Sequence, residues 1–583
     1  MKNSLFLLVF GLLAWSALLF GQVPIFGPPV HDDGNILVPF RYPVPSGQEG
    51  DFFTVTASCS DGVCTVTPSS RNMPGSYIEG YVTVSGAKTD SVDIKLSFSD
   101  MDTQTNGQGA SHLGNPGTVV TTNSQSSIEP VSTATGELFE PDIPSGLSLG
   151  GPLPLEFWRY YASLLNANGI NSRMGNNWMH NFEWVLVQLG TFVEVIPPGA
   201  KTLLFQQFGT GWQLVTREKV TYQLVNGPNN SFQFLDPATN YTYTFPGTGT
   251  AIGPNTVGLS RIQDRNGNTL TVTASAGSSQ VSDGLGRILT FTYDANGHLI
   301  KVADQTGRFV TFGYAGNDLT SFTDANGKTE SFAYTTSPTM NGLLTAHTLP
   351  LGNKPFSQTW DSSGRVATQS DSFGNTTTLT YNPGSTSFKD PAGAVVSHTN
   401  RNFSDFTSLT DADGQTLSTT YDSNQHRTLV TDRLGNKIVQ TFDGASGNLA
   451  SVTDADGNTT TYTWTPQVSG PFTYYVLSKI QCADGTSVSY IYDANGNELT
   501  AMDQAGKVWK YTYNSRGQRL TATDPLGRII QYAYNAADGT LASITDPAGN
   551  LTAYSYDSLK RVNLITFADG TTRPPSMTIL TRC

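Results

Sequence analysis

The sequence predicts an all-β chain: a small N-terminal β-sandwich, then one long antiparallel sheet built from hairpins that recur about every 21 residues. Three observations predict it. Asp264, Asp283, Asp304, Asp324, Asp371, Asp390, Asp411, Asp432, Asp454, Asp503, Asp524 and Asp546 each have Gly three residues on. Ten residues after the Asp stands an aromatic, Tyr293, Tyr314, Tyr334, Tyr381, Tyr421, Phe442, Trp464, Tyr513, Tyr534 or Tyr556, with only the Asp264 and Asp390 copies departing. Charged residues are sparse at 14%, while the chain holds 58 Gly and 24 Tyr, a composition for turns and strands.

Each repeat reads as two strands and two turns. Asp caps a turn through its short side chain and Gly takes the left-handed position. Pro525 and Pro547 stand where a type I turn favours a fixed φ. A second large residue often sits eight after the Asp, as in Phe291, Phe312, Phe332, Tyr462, Tyr511, Tyr532 and Tyr554. Spacing of two puts both aromatics on one face of a strand. That face must meet another apolar surface or curl on itself, since one hairpin alone is marginal. The double-length gaps after Asp324 and Asp454 hold degenerate copies at 349–353 and 482–485.

Tyr293-Asp294-Ala295-Asn296-Gly297 and Tyr492-Asp493-Ala494-Asn495-Gly496, each leading to a downstream Asp-x-x-Gly, resemble the YD repeats of Rhs proteins. Similar repeats occur in teneurins and in the cocoon components of insecticidal toxin complexes. The resemblance covers residues 258–571 and implies a spiralling sheet that forms part of a hollow shell.

Residues 1–21 read as a signal peptide, with Lys2 ahead of the apolar run 5–20; a membrane anchor is the competing reading. No other stretch could span a membrane, so a secreted or cell-surface location is expected. Residues 22–110 pass from Pro-rich sequence into alternating strands, the sandwich. Within it Cys59 and Cys64 are placed to form a disulfide, in keeping with secretion, and two thiols without a neighbouring His make a poor zinc site. Residues 111–127 read as a polar linker.

Residues 128–257 read as an entry domain, which holds a second resemblance at 128 to about 189, followed by paired strands leading into the repeats. Leu153-Pro154-Leu155-Glu156-Phe157, Arg159-Tyr160-Tyr161 and Gly175-Asn176-Asn177-Trp178-Met179-His180-Asn181-Phe182-Glu183 are similar to the starter domain that precedes the repeats in bacterial Rhs proteins. The resemblance implies a strand-rich plug. Trp158, Tyr160, Trp178 and Phe182 are expected as buried anchors, and Arg159 as a partner for Glu183.

Catalytic chemistry is not expected. The seven His share no repeat position, and there is no Gly-x-Ser-x-Gly elbow or phosphate loop. His180 stands in the starter motif, where a packed structural role outweighs a general base. Asp411-Ala412-Asp413-Gly414 and Asp454-Ala455-Asp456-Gly457 look like calcium loops but lack the terminal Glu, and Asp-capped turns account for them. No metal or other cofactor is expected. The net charge of −13 and the absence of a basic run argue against nucleic acid.

The tail 572–583 is too short for an effector domain. The leading expectation is therefore a non-enzymatic scaffold for encapsulation or surface display in a toxin or cell-contact system, with an effector or shell-completing chain as partner. A carbohydrate- or cell-surface-binding adhesin, using its aromatic ladders on glycans, is the alternative. A truncated piece of a larger toxin is the third reading.

Overall fold

The computed structural model describes residues 131–574, apart from 199–201, 217, 248–250, 254–255, 276, 337–341, 401–405 and 559, and before residue 115 it describes strands only. Most of the apolar leader and residues 115–130 lie outside the described residues, as do 575–583. Among the described residues no helix is long and apolar enough to cross a membrane.

The alternating pattern before residue 115 forms two antiparallel sheets. One runs Leu5–Leu8, Asn106–Gly114, Ser91–Asp100, Phe52–Cys59, Ser70–Asn72 in spatial order. The other runs Ile25–Phe26, Asn35–Pro43, Tyr77–Ser85, Val63–Thr67, with Val30–Asp32 beside Asn35–Pro43. Residues 111–114, where the sequence suggests the start of a linker, are instead the end of strand Asn106–Gly114. This short stretch shows no hydrophobic alternation, and backbone pairing with Ser91–Asp100 makes the strand. Cys59 and Cys64 form a disulfide, Cα atoms 5.8 Å apart, that links a strand of each sheet.

Two further sheets follow. Phe139–Ser148, Glu156–Ala162 and Trp178–His180 make a three-stranded sheet. Val185–Leu189, Phe192–Ile196, Leu203–Phe208 and Gly211–Leu214 pair in sequence, with Thr256–Gly258 and Ala251–Gly253 added to the free edge.

All remaining strands belong to one antiparallel sheet of 33, ordered as the chain runs from Gln223–Asn226 to Thr572–Arg573. Every repeat contributes two strands, so its turns alternate between two rims. Turns that begin at the counted Asp line one rim, here the Asp rim. Turns that follow the repeat aromatic, such as 294–298, line the other, the Tyr rim. The degenerate copies obey the same geometry: Gly352 donates to the Leu349 carbonyl at 2.8 Å and Gly485 to that of Cys482 at 3.1 Å.

At most Tyr-rim ends the pairing slips by one residue. Thr292 faces Lys301 but Tyr293 faces Leu299, and the same shift recurs at Tyr314, Tyr421, Phe442, Trp464, Tyr492, Tyr513, Tyr534 and Tyr556. A bulge on the same side of most repeats adds twist and bends the ribbon the same way each time. The ribbon therefore curls. The largest core lies where the curl closes on the starter domain: Phe157, Tyr161, Trp178 and Phe182 pack with Phe291, Phe312, Phe322 and Phe332. Burying each such ring stabilises the fold by roughly 1.5–3 kcal/mol.

Candidate functional site

The geometry worth explaining is a wall and its seams. It starts with the turns. In the Asp324 turn, Oδ1 accepts the N–H groups of Asn326 at 2.9 Å and Lys328 at 2.8 Å. The Asp324 carbonyl accepts from Gly327 at 3.0 Å. One carboxylate thus satisfies two donors that strand pairing leaves over. The same pair of bonds is made by Asp283, Asp304, Asp371, Asp411, Asp432, Asp454, Asp503, Asp524 and Asp546. In the Asp411 and Asp454 loops the carboxylates are accounted for in this way. Among the described residues no cluster of His, Cys, Asp and Glu could hold a metal ion.

The fourth residue after the Asp carries a signal that the sequence reading overlooked. It is Asn or Arg in most turns, and its side chain returns to the second carboxylate oxygen. Asn375, Asn436, Asn458 and Asn550 bind Asp371, Asp432, Asp454 and Asp546 at 2.8–3.1 Å. Arg287, Arg308 and Arg528 bind Asp283, Asp304 and Asp524. His298 and His426 occupy this same position in the Tyr-rim turns of Asp294 and Asp422. The expectation that the histidines share no repeat position is thereby corrected. Both follow an Asp of the alternate turn, which the count of Asp-x-x-Gly did not include.

The repeat aromatics stitch neighbouring turns together. Tyr314, Tyr334, Tyr381, Tyr421, Tyr492 and Tyr556 each donate the hydroxyl to the carbonyl fifteen residues earlier, at 2.6–2.9 Å. Trp464 does so through Nε1, to Leu449 at 2.8 Å. An amphipathic ring is suited to both contacts, since its body packs on the wall and its tip reaches a backbone acceptor. Tyr293 instead meets the Ser279 hydroxyl at 2.9 Å, and the Phe442 ring stacks on His426.

The starter domain covers the Tyr rim of the first coil. Leu299 N–H donates to the Arg173 carbonyl, Asn176 N–H to that of Asn317, Val366 N–H to that of Gly136, and Asn177 Nδ2 to that of Gly342. Asn177 takes a left-handed φ of 63°, as the turn in which it stands requires. Trp178 Nε1 donates to the Tyr334 hydroxyl at 2.8 Å, and Asn181 donates to the Glu156 carbonyl at 2.8 Å. Tyr160 and Phe182 are buried; Trp158 is half-buried.

Arg159 does not pair with Glu183. Its guanidinium lies 3.2 Å from Glu330 of the long sheet and 3.7 Å over the Phe322 ring. Glu183 instead accepts from the Ser172 hydroxyl at 2.6 Å and from the Arg173 and His180 N–H groups. Membership of one motif suggested the wrong partner, because the strand carrying Arg159 turns its side chain into the wall. Burial lowers the His180 pKa from the ordinary value. His180 Nδ1 accepts the Phe182 N–H at 3.2 Å and its ring stacks on Phe291. Burial pushes the neighbouring Glu137 carboxyl up to about 8.

The ribbon also meets itself. Asn268 Nδ2 donates to the Arg516 carbonyl at 2.9 Å, and Asn497 Nδ2 to Asn266 at 2.8 Å. Arg265 reaches Gln467 at 2.6 Å and lies 4.4 Å over the Tyr474 ring. Arg287 Nη1 reaches the Asp538 carbonyl at 2.8 Å. In each case the Asp rim of the first coil touches the Tyr rim of the second, 202–251 residues later in the chain. The sheet has completed one turn of a spiral.

A family described as RHS Repeat matches residues 293–329, 442–467, 492–529 and 534–572. The chain carries Rhs repeats. A second family, described as a domain of unknown function, DUF6531, matches residues 128–205 of this Rhs chain. Among solved structures, the Tc holotoxin pore of Photorhabdus luminescens, with a point-mutated TccC3, is 12% identical over 65% of this chain and 26% of that one, with a TM-score of 0.36. TcdB2-TccC3 without its hypervariable C-terminal region is 13% identical over 85% of this chain and 28% of that one, with a TM-score of 0.37. TcdB2-TccC3 is 10% identical over 92% and 37%, with a TM-score of 0.32. The Rhs chain thus spans between about a quarter and just over a third of these solved chains. No curated protein matches it by sequence.

The inner wall of this Rhs ribbon changes character along its length. Phe291, Phe312 and Phe332 are buried against the starter domain, but Tyr462, Tyr490, Tyr511, Tyr532 and Tyr554, at the same repeat position, are only half-buried. The alternating residues Thr461, Thr463, Ile491, Lys510, Thr512, Gln531 and Ala533 are exposed on the other face. The second coil therefore presents an aromatic face that no described part of the chain covers.

Proposed function

We propose that this chain is a secreted, non-enzymatic scaffold of a toxin or cell-contact system, whose curved wall encloses or displays a cargo supplied by another chain. The self-contact of the ribbon, Asp rim on Tyr rim, carries the reading, because it turns a sheet into a wall with an inside. The half-buried aromatic face of the second coil supports it: such a surface suits polypeptide of mixed character better than bulk water. The apolar leader at 5–20 supports secretion. A shell-completing chain of the same repeat class would dock on the open Asp rim, extending the seam already made by the first coil.

Single-particle electron microscopy of the purified chain tests the wall: a curved hollow body is expected, and an extended flexible string overturns the reading. Cargo is tested by single cysteines at Tyr511→Cys on the inner face and Lys510→Cys on the outer. With a cargo-bearing chain co-produced, a bulky maleimide should reach only the outer one. Equal labelling of both sinks encapsulation.

A further inference from the structure

The seam between the coils has one joint unlike the others. His426 is buried, its ring stacked on Phe442 at a centroid distance of 4.2 Å and 12° between planes. Nδ1 lies 2.8 Å from Asp422 Oδ2, and Nε2 lies 2.6 Å from the carbonyl oxygen of Lys219, in the segment leading into the first coil. Both partners are acceptors only. A neutral imidazole has one N–H and can serve one of them; the imidazolium serves both. His298, at the same repeat position, differs on this point. Its Nε2 faces the side-chain amide of Asn317, which can turn to donate or accept. Most other turns place Asn, Arg, Lys or Gln here, whose side chains donate at every physiological pH; the Asp390 turn has Ala394.

The surroundings fit a joint held under tension. Gln425 takes φ of +67° where most turns have Gly, as Lys560 does at +61° in the Asp557 turn, a conformation a side chain adopts at a cost. The loop carrying Lys219 is clasped again by the next turn: Thr221 donates to the Ala445 carbonyl at 3.1 Å, and at Gly447 any Cβ would collide with the Lys219 carbonyl. The charged groups on the elements that meet here are Asp422 and Arg427 beside His426, Asp443 on the next turn, and Glu218 and Lys219 on the loop. Asp443 is engaged by the Ser446 hydroxyl and N–H. Arg217, on the same loop, lies outside the described residues.

We infer that His426 is a proton-dependent clasp, holding the 218–222 segment that leads into the first coil to the second coil when charged and loosening it when neutral. Serving both acceptors needs the second N–H, so the contact is complete in acid and weakened in alkali. The effect is a side port in the wall at 218–222, 422–426 and 443–447. It concerns the seam alone and holds whether or not the wall encloses cargo.

Hydrogen exchange of the full chain, corrected for the intrinsic pH dependence, tests the clasp at about pH 5.5 and about pH 8. Peptides covering 218–222 and 443–447 should be about tenfold more protected at the lower pH, the size expected for one charged hydrogen bond. His426→Asn, which places at this turn the residue used in the Asp371, Asp432 and Asp454 turns, should remove the pH dependence. His426→Arg should keep the seam closed at both. Equal wild-type protection at the two pH values overturns the clasp, as does an unchanged pH dependence in His426→Asn. The Arg287 seam, read in peptides covering 535–540, should not respond in any variant.

Discussion

Arg287 donates to the backbone carbonyl of Asp538, 251 residues further along the chain, at 2.8 Å. The same guanidinium binds Asp283 of its own turn at 2.9 Å and, through Nε, the Leu149 carbonyl of the starter domain at 2.9 Å. One buried side chain therefore joins three parts of the molecule: starter domain, first coil and second coil. The site it enters is itself braced, since Lys560 binds the Asp538 carboxylate at 2.6 Å. Although burial works against ionisation there, the bonds from Lys560 and Thr540 hold the Asp538 pKa down at about 2.

Arg287→Met should destabilise the chain by about 3 kcal/mol, because Asp283 and two carbonyls lose their donor while buried. Denaturant unfolding measures the loss, and hydrogen exchange should place it at 535–540 and at 149–155. Arg287→Lys should recover only part, since an ammonium cannot reproduce the planar fork.

The tyrosine tips can be tested one at a time. Tyr334→Phe removes a hydroxyl that both donates to Leu319 and accepts from Trp178, leaving the indole N–H without its partner. A cost of about 2 kcal/mol is expected. Tyr492→Phe, on the uncovered second coil, removes one bond to Leu477 near solvent and should cost about 0.5 kcal/mol. Equal costs in the two variants would mean that the starter domain does not tighten the ladder beneath it.

How much of this was legible in the sequence depends on distance along the chain. The Asp-x-x-Gly turn and the aromatic ten residues on are local, so Asp324, Tyr334 and their copies stand in the expected register. The long antiparallel sheet followed from them. The seams did not. Nothing near Asn268 in sequence points to Arg516, and nothing near Arg159 points to Glu330. A spiral brings such residues together through the summed twist of many hairpins, a quantity no single repeat displays. The polar strand Asn106–Gly114 was missed for a different reason: its ladder is backbone pairing without hydrophobic alternation.

Glu137 supplies a pH prediction. Burial raises its folded-state pKa from 4.5 to about 8, so the folded chain holds a proton that the unfolded chain has released between those values. Its contribution to stability is whole below about 4.5, falls as pH rises, and levels off above about 8. Glu137→Gln keeps the acceptor used by the Leu164 N–H and removes the titration. Its unfolding midpoint should exceed that of the wild type at pH 8 and approach it near pH 4.5, measured by denaturant titration across the range.

The last prediction concerns the open rim. Glycines of the Tyr rim are pressed by other segments: a Cβ at Gly342, Gly447, Gly496, Gly517 or Gly539 would lie under 3 Å from Asn176, Lys219, Arg265, Asn266 or Pro152. Along the Asp rim from Gly327 to Gly570 the corresponding space is empty, apart from the Lys389 side chain of the Gly393 turn itself. The tips of that rim include Leu351, Phe373, Leu434 and Leu526, exposed by 94%, 89%, 88% and 79%. In the seam already formed, the equivalent tips are Asn266 and the half-buried Leu285. Apolar tips left in water contribute nothing to the fold of this chain, so Leu434→Asp with Leu526→Asp should change its stability by less than about 0.5 kcal/mol. The same pair should abolish docking of a shell-completing ribbon, because two charges would be buried without partners. Sedimentation of the double variant with a co-produced Rhs-repeat chain measures this, and retained assembly would mean that the open rim is not where a second chain attaches.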